Sequence, residues 1–289
     1  MTAATYLSLL LLALVPTTAA VEKTPKTLPG GWVLEWHDEF NGQELNRKKW
    51  RPELGLVRNV GAHQTYTEDS LQVKNGVLTI TAKAEETPVS TYRKGAKDWR
   101  RARPTMPYKS GSITTQGIKT FFHGRLEVRA KLPANKGAWP AIWLINENPG
   151  WGWPQCGEID IVEHASQHKD CCYATFHWGK NGGNVDAMKS QMPHIEGLTD
   201  NYHVYSMEWD AERIVLAVDG RETCSLEINS ITYPDGRNPF RKPAHLIINL
   251  ATGGQQTMTE APDPAAYPCT MEVDYVRYYV KKGNKKLRK

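Results

Sequence analysis

The sequence has no long apolar run, almost no helical periodicity and no Cys-x-x-Cys pair. Its one apolar block, residues 7–15, is far shorter than the roughly 20 residues that a membrane-spanning helix needs, so no membrane span is expected. The missing Cys-x-x-Cys spacing removes support for a zinc ribbon. The near absence of a 3.6-residue period leaves strands as the main structural element.

The sequence also lacks a basic surface of the kind that binds nucleic acid. The formal net charge is +5, but residues 281–289 alone contain six lysines and arginines, so the body of the chain is close to neutral. A charge confined to a terminus does not form a nucleic-acid footprint. We therefore expect no nucleic-acid partner.

Residues 1–20 have the form of a signal peptide, with an apolar block followed by small residues and a cleavage site after Ala20. This pattern predicts a secreted protein, extracellular or periplasmic. Five cysteines fit an oxidising compartment, in which pairs form and one thiol is left over. Their connectivity cannot be read from the sequence, and buried free thiols are the alternative.

After the leader we predict a linker over residues 21–31, one folded domain over 32–280 and a basic tail over 281–289. Within the domain, apolar residues alternate with polar ones in short runs, as in residues 77–83 after an Asn-Gly turn. Such runs predict an all-β sandwich. Residues 85–108 have no period and six basic side chains, so we expect a surface loop, either solvated or in contact with an anionic substrate.

The segment from Gly157 to His164 contains three carboxylates at close spacing. On a regular strand Glu158 and Asp160 share a face, and Ile159 and Ile161 pack behind them. Regular alternation would turn Glu163 away from that face, and one extra residue in a β-bulge restores it. Bulges of this kind occur next to active sites.

Two carboxyls about 5 to 5.5 Å apart are the machinery of a retaining glycosidase. On this interpretation Glu158 is the nucleophile, Glu163 is the acid/base, and Asp160 keeps Glu163 protonated by like-charge repulsion. A structural alternative is an acidic strand paired with a basic one such as the strand of Arg125 and Arg129. A further alternative is a metal site built from Glu163, His164 and His168.

Aromatic residues precede and follow the acidic segment. Trp139, Trp143 and Trp153 precede it, and indole rings of this kind stack on sugars in open grooves, although some of them could instead be core. His177 lies in the next predicted strand and could pair with Asp160 across adjacent strands. The pattern indicates a glycan groove beside the carboxylates.

These residues resemble glycoside hydrolase family 16, and within it the laminarinases (endo-β-1,3-glucanases). The Glu-Ile-Asp-Ile-Val-Glu sequence from Glu158 to Glu163 is similar to the bulged form of the family's catalytic motif, and further segments from residue 32 to residue 280 match the family in order. The resemblance implies a concanavalin-like β-jelly roll of two curved antiparallel sheets with a concave substrate groove.

The resemblance also implies binding residues and a metal. The groove would be lined by Asn59, Arg129, Trp139, Trp143, Trp153 and His177. A structural calcium would be bound through Glu39, Gly76 and Asp274, with Asp274 as the only side-chain ligand. No cofactor is expected for catalysis, the partner is a polysaccharide substrate, and we expect a monomer.

Two departures from the laminarinase pattern concern the substrate. The chain has Gly61-Ala62-His63 where laminarinases carry a glutamate, and Gln255-Gln256 where they carry an aromatic residue. The resemblance itself implies an endo-acting retaining enzyme for β-1,3 or mixed β-1,3/1,4 glucan, and the two departures leave its substrate specificity open. A red-algal galactan hydrolase and a non-catalytic glycan-binding module are the alternatives.

Overall fold

The computed structural model describes residues 24–55, 61–148, 150–253 and 260–283. Within these ranges the chain forms strands and short 3-10 helices and no α-helix. No described helix has the length and apolar character required to cross a membrane. The predicted leader, Asn59, Gln255-Gln256 and most of the basic tail lie outside the described residues, so the expectations about them stay predictions.

The described part of the chain forms twenty strands. They are β1 (Thr27–Leu28), β2 (Trp32–Asp38), β3 (Arg51–Pro52), β4 (Gln64–Tyr66), β5 (Leu71–Lys74), β6 (Val77–Ala82), β7 (Thr87–Pro88), β8 (Thr105–Met106), β9 (Tyr108–Ser110), β10 (Ser112–Thr114), β11 (Gly124–Lys131), β12 (Ala138–Asn146), β13 (Glu158–Glu163), β14 (Tyr173–Gly179), β15 (Asp186–Gln191), β16 (His203–Trp209), β17 (Arg213–Val218), β18 (Arg221–Glu227), β19 (Ala244–Thr252) and β20 (Cys269–Lys281). The 3-10 helices are Glu68–Ser70, Trp99–Arg101, Lys180–Gly182, Ile228–Ile231, Pro239–Arg241 and Pro264–Ala266.

Two large antiparallel sheets form a sandwich. The first, which we call the site sheet, has the order β15-β14-β13-β12-β19-β10-β3. The second sheet has the order β1-β2-β20-β11-β16-β17-β18, and β6 joins it beside β20 with β5 as its partner. Two small sheets, parallel β4-β9 and antiparallel β7-β8, lie outside this pair. The all-β jelly-roll prediction is confirmed.

The core lies between the two sheets and explains the period-two patterns. Leu126 and Val128 from β11 and Ile142, Leu144 and Ile159 from the site sheet are completely buried in one cluster. Each such side chain contributes about 1.5–3 kcal/mol when it leaves water. The opposite face of each of these strands is therefore free to carry polar residues. On the site sheet those residues are the carboxylates.

Turn chemistry agrees with the sequence at the β5–β6 hairpin. Asn75 and Gly76 both have positive φ, 53° and 78°, and they join two antiparallel strands in register. A type I′ turn needs positive φ at both central positions, and Asn-Gly tolerates it at little steric cost.

The folded region begins earlier than predicted. Thr27 and Leu28, assigned to the linker from sequence, form β1 and pair with Val33 and Trp32 of β2. A two-residue strand has too few residues to show alternation, so the Thr/Pro/Lys composition around it concealed the pairing. At the other end, β20 extends to Lys281, the first residue of the predicted tail.

Residues 85–108 form more structure than a solvated loop. Strands β7 and β8 pair antiparallel, and Val89 and Met106 are buried together with Ala62 while Trp99 packs against them. The loop thus has a small apolar cluster of its own. Five of its six basic residues are exposed, and the sixth, Arg103, is half-buried.

All five cysteines are free thiols, and all five lie in the described part of the chain. Four are buried, and Cys171 is half-buried. The buried-thiol alternative therefore describes this structure, and no predicted pairing forms.

Candidate active site

Strand β13 carries the three carboxylates, and a β-bulge sets their directions. On the β12 side, Trp143 opposes Asp160 and Ile142 opposes Val162, so that Ile161 is the extra residue. Ile161 and Val162 are both completely buried. Because two successive residues point into the core, Glu163 returns to the face that bears Glu158 and Asp160. The bulge predicted from sequence is confirmed.

Asp160 is the most deeply buried of the three, with 1% of its surface exposed. Burial raises the pKa of this carboxyl well above its usual value, and the neighbouring charges of Glu158 and Glu163 raise it further. Its Oδ2 atom lies 3.5 Å from Nε2 of His177. Asp160 therefore holds a proton more readily than an ordinary aspartate.

Glu163 is half-buried and is oriented by an indole. The Nε1–H group of Trp139 donates a hydrogen bond to Oε1 of Glu163 at 2.9 Å. Burial raises the pKa of Glu163, and the Trp139 hydrogen bond and the nearby His177 partly offset that rise. A carboxyl with a raised pKa is suited to donate a proton.

The predicted groove tryptophans have three different environments. Trp139 is only 4% exposed and stacks on Tyr173 at 5.9 Å, so it orients Glu163 rather than offering a sugar platform. Trp143 is half-buried and donates to Oδ1 of Asn249 at 2.7 Å. Trp153 is 54% exposed, with its ring 6.0 Å from that of His177. Only Trp153 presents a large open surface.

His177 lies beside the carboxylates, as predicted. In the sheet register it opposes Glu158 on β13, and its ring reaches toward Asp160. On its other side, Nδ1 lies 3.1 and 3.0 Å from the two carboxylate oxygens of Asp186 on β15. The imidazole is thus held between two acidic residues.

Arg129 does not belong to this site, and the prediction that it lines the groove is wrong. Its strand, β11, lies in the second sheet, where Leu126 and Val128 point into the core. Arg129 therefore points outward, ion-pairs with Asp274 at 2.5 Å and lies over the ring of Tyr202. Alternation gave the correct face of the strand, but it does not say which sheet the strand joins.

The structural alternative for the acidic strand is also wrong. The neighbours of β13 are β12 and β14, and β11 with its basic residues lies in the other sheet. Arg125 instead pairs with Glu127 on its own strand at 2.7 Å. The β13 carboxylates are therefore not arranged for neutralisation by a basic strand.

The implied calcium ligands come together only in part. The backbone oxygen of Glu39 lies 3.9 Å from the position that a Cβ on Gly76 would take, so these two are neighbours. The Asp274 carboxylate, however, is paired with the Arg129 guanidinium, whose positive charge opposes a cation. The donor set fits a calcium ion poorly.

The alternative metal site from Glu163, His164 and His168 does not assemble either. His164 is buried with Nδ1 2.9 Å from the carbonyl oxygen of Cys171, and His168 packs edge-on against Tyr173. Among described His, Cys, Asp and Glu residues, the group of three close enough to share an ion is Glu158, Asp160 and His177, with ligand atoms within 4.8 Å of one another. That group contains Glu158 but not Glu163, so it is distinct from the pair of carboxyls that retaining chemistry requires.

Sequence reasoning missed two polar residues of this face. Asn249 on β19 accepts from Trp143 and donates to the hydroxyl of Tyr66 at 3.2 Å. Asp186 begins β15, whose sequence shows no apolar alternation. A polar residue inside the otherwise apolar β19 run was a usable signal for Asn249. For Asp186 the sequence contains no such signal.

A sheet face that combines raised-pKa carboxyls with indole rings is typical of enzymes that hydrolyse glycosidic bonds, the glycoside hydrolases. The model of one family within this class, described as Glycosyl hydrolases family 16, matches residues 59–277. The chain belongs to that family.

Two curated relatives have sequences similar to this chain. The beta-glucanase of Rhodothermus marinus is 32% identical over 265 residues, which cover 86% of this chain and 85% of the relative. The glucan endo-1,3-beta-glucosidase A1 of Niallia circulans is also 32% identical over 86% of this chain. The alignment spans only 38% of the length of that second relative.

One solved structure resembles the chain more strongly. It comes from work on how prominent members of the human gut microbiota express endo-acting O-glycanases to initiate mucin breakdown. It is 44% identical in sequence with a TM-score of 0.88, and the match covers 91% of this chain and 96% of that one.

Proposed function

We propose that this protein is an endo-acting, retaining glycoside hydrolase in which Glu158 is the nucleophile and Glu163 is the general acid/base. The observation that carries the proposal is the bulge at Ile161, which puts both glutamates on one face of β13. Retention needs two carboxyls that reach the same glycosidic bond from opposite sides of the anomeric carbon. A strand without the bulge would turn Glu163 into the core.

The first step uses the raised pKa of Glu163. Its carboxyl group protonates the glycosidic oxygen while the carboxylate of Glu158 attacks the anomeric carbon. The bond to the leaving sugar breaks and a glycosyl ester of Glu158 forms. In the second step the Glu163 carboxylate removes a proton from water, which attacks the same carbon and releases Glu158.

The pKa of Asp160 changes during this reaction cycle. In the free site the charge of Glu158 is one of the causes of the raised pKa of Asp160. Formation of the ester removes that charge, so Asp160 gives up its proton more readily in the intermediate than in the free enzyme. Asp160 thereby limits the change in total charge that the buried site experiences.

For the substrate, we propose a mucin-type O-glycan. Support comes from the 44% identity to a structure studied among endo-acting O-glycanases, compared with 32% to the two glucanases. The β7–β8 loop adds a second argument. Its cations Arg93, Lys94, Lys97 and Arg101 are exposed, and they would attract sulfate or sialic acid groups.

The loop adjoins the site through a short chain of contacts. Arg103 donates to the backbone oxygen of Ala62 at 2.8 Å, and the next residue, His63, lies against Gly253. Gly253 follows β19, in which Ala251 opposes Trp139, the partner of Glu163. Arg103 thus connects the loop to the end of β19 that lies beside Trp139.

A β-1,3 or mixed β-1,3/1,4 glucan is the second candidate, supported by the two glucanase relatives. A red-algal galactan would also suit the basic loop. A non-catalytic glycan-binding module is disfavoured, since binding alone does not require the three carboxylates Glu158, Asp160 and Glu163.

Replacing the nucleophile tests the proposed mechanism. Glu158→Gln should abolish turnover and leave glycan binding intact, whereas Glu222→Gln, an exposed residue of the second sheet, should keep wild-type kcat. Proton NMR of the first product should show the same anomeric configuration as the bond that was cut. Unchanged turnover in Glu158→Gln would contradict the assignment of Glu158 as nucleophile, and an inverted product would contradict the retaining mechanism.

A panel of mucin O-glycans, keratan sulfate, laminarin, lichenan, agarose and carrageenan tests the substrate. We expect the highest kcat/KM on the mucin glycans. Preferential cleavage of laminarin or lichenan would establish the glucan candidate instead.

We also propose export of the protein. This proposal rests on the form of residues 1–20 alone. N-terminal sequencing of protein from the source cells should start at Val21, and an intact Met1 would refute it.

A further inference from the structure

We propose that Asp186 is a positioning residue of the active site: it fixes the ring of His177, and through that ring the orientation of Asp160. Asp186 lies outside the three carboxylates of β13, and the function assigned to it rests on the proposed catalytic function of those carboxylates.

The geometry around Asp186 supports a specific contact. Asp186 opposes Gly179 across the β14–β15 pair, and Met188 opposes His177, so Asp186 is the diagonal neighbour of His177 on the same sheet face. Both of its carboxylate oxygens lie within 3.1 Å of Nδ1. Gly179 has no side chain, so it places nothing between Asp186 and His177 on this face.

This contact determines which ring nitrogen carries a proton. An ionised carboxylate only accepts hydrogen bonds, so Nδ1 must be the donor toward Asp186. Nε2 is then the atom presented to Asp160, 3.5 Å away. One proton between Nε2 and Oδ2 satisfies both atoms, whichever of them holds it. Without Asp186 the other tautomer, or a rotated ring, becomes accessible.

Other groups near the ring do not replace Asp186. Asp160 lies on the Nε2 side, Glu158 opposes His177 in the sheet register, and Glu163 lies further along β13. Trp153 faces the ring but offers no acceptor at Nδ1. Oδ2 of Asp160 has no hydrogen-bond partner within bonding distance, and Nε2 of the ring that Asp186 holds lies 3.5 Å from it.

Kinetics of two variants test the proposal. Asp186→Ala should lower kcat about tenfold with KM changed less than about twofold, the size expected when an outer hydrogen bond that orients an imidazole is lost. Asp186→Asn keeps an acceptor for Nδ1–H and should recover most of that loss. Lys189→Ala, an exposed residue of the same strand, is the matched control and should equal wild type.

Coupling to His177 distinguishes positioning from a general structural effect. In a His177→Ala background, Asp186→Ala should cause no further loss of kcat, because the two act through one ring. Full additivity, or wild-type kcat in Asp186→Ala, would overturn the proposal. Thermal unfolding of each variant should show intact folding.

A spectroscopic measurement does not depend on finding the substrate. Ring ¹⁵N shifts of His177 should show a protonated Nδ1 in the wild type and a change of tautomer population in Asp186→Ala. An unprotonated Nδ1 in the wild type would refute the proposal even if the enzyme is active. If no glycan is cleaved but Nδ1 is protonated as expected, only the proposed function fails.

Discussion

Asp160 combines complete burial with two like-charged neighbours, and this combination opposes its ionisation. A carboxyl whose pKa is higher in the folded than in the unfolded protein binds more protons in the folded state. Folding stability therefore falls as pH rises above the usual aspartate range. Asp160 is thus a source of instability at neutral pH.

We expect Asp160→Asn to stabilise the protein while reducing its activity. At pH 8 the melting temperature should rise by about 2–4 °C, equivalent to about 1 kcal/mol, because the buried charge is gone. The gain should shrink toward pH 4, where the wild-type carboxyl is already protonated. Melting curves at both pH values test this expectation, and a lower melting temperature at pH 8 would contradict it.

Trp139 lowers the pKa of Glu163 through its indole N–H. Trp139→Phe removes that hydrogen bond, so the pKa of Glu163 should rise and the alkaline limb of the kcat/KM profile should move to higher pH. We expect kcat to fall about tenfold at the optimum, since the orientation of the acid is also lost. Trp178→Phe, whose indole has no contact with Glu163, is the control. A limb that moves to lower pH would refute this interpretation.

At the scale of the strand, β13 combines two functions. Ile159 and Ile161 are equally and completely buried, but only Ile161 occupies the bulge. Ile159 only packs in the core, whereas Ile161 also determines where the side chain of Glu163 emerges from the sheet. Substitution at these two positions therefore separates stability from activity.

Ile159→Ala and Ile161→Ala should each lower the free energy of unfolding by about 2–5 kcal/mol, the usual range for a buried cavity. Well below the melting temperature, Ile159→Ala should retain most activity. Ile161→Ala should lose at least about tenfold in kcat, because the emptied bulge lets Glu163 shift. Urea unfolding and initial rates measure the two effects, and equal activities would show that the bulge does not depend on its side chain.

The sequence predicted some elements well and others poorly, for physical reasons. Alternation and the carboxylate spacing predicted β13 with its bulge, because only one arrangement puts Ile159 inside and Glu163 outside. The same reasoning failed for Arg129. Alternation specifies a face, whereas the choice of sheet depends on pairing between distant strands. Asp186 could not be found, since its partner His177 is reached only through the β14–β15 register.

At the scale of the whole molecule, the fold was predictable because short alternating runs and turn residues have few arrangements other than a sandwich. The substrate was not, because it depends on loops such as residues 85–108, which carry no period. The small apolar cluster of Ala62, Val89 and Met106 shows why composition alone misled: a basic, Pro-containing segment can still bury its few apolar side chains.

The basic loop should make cleavage of anionic glycans sensitive to salt. Raising NaCl from about 50 to 500 mM should increase KM for a sulfated or sialylated glycan about tenfold, while the KM for a neutral glycan stays constant. Arg93→Glu with Lys97→Glu should have a similar effect at low salt. Arg221→Glu on the second sheet is the control. Equal salt dependence for both glycans would exclude recognition of anions by the loop.

The five free thiols have a practical consequence. Burial raises the pKa of Cys156 to about 11 and those of Cys172 and Cys269 to about 12, and the pKa of Cys224 is raised as well. These four thiols stay protonated at neutral pH and shielded from reagents. Since none of the five cysteines forms a disulfide in the structure, we expect the protein to fold in a reducing host without a refolding step. Cys171, the one thiol in partial contact with solvent, then serves as a natural single attachment point for a maleimide fluorophore.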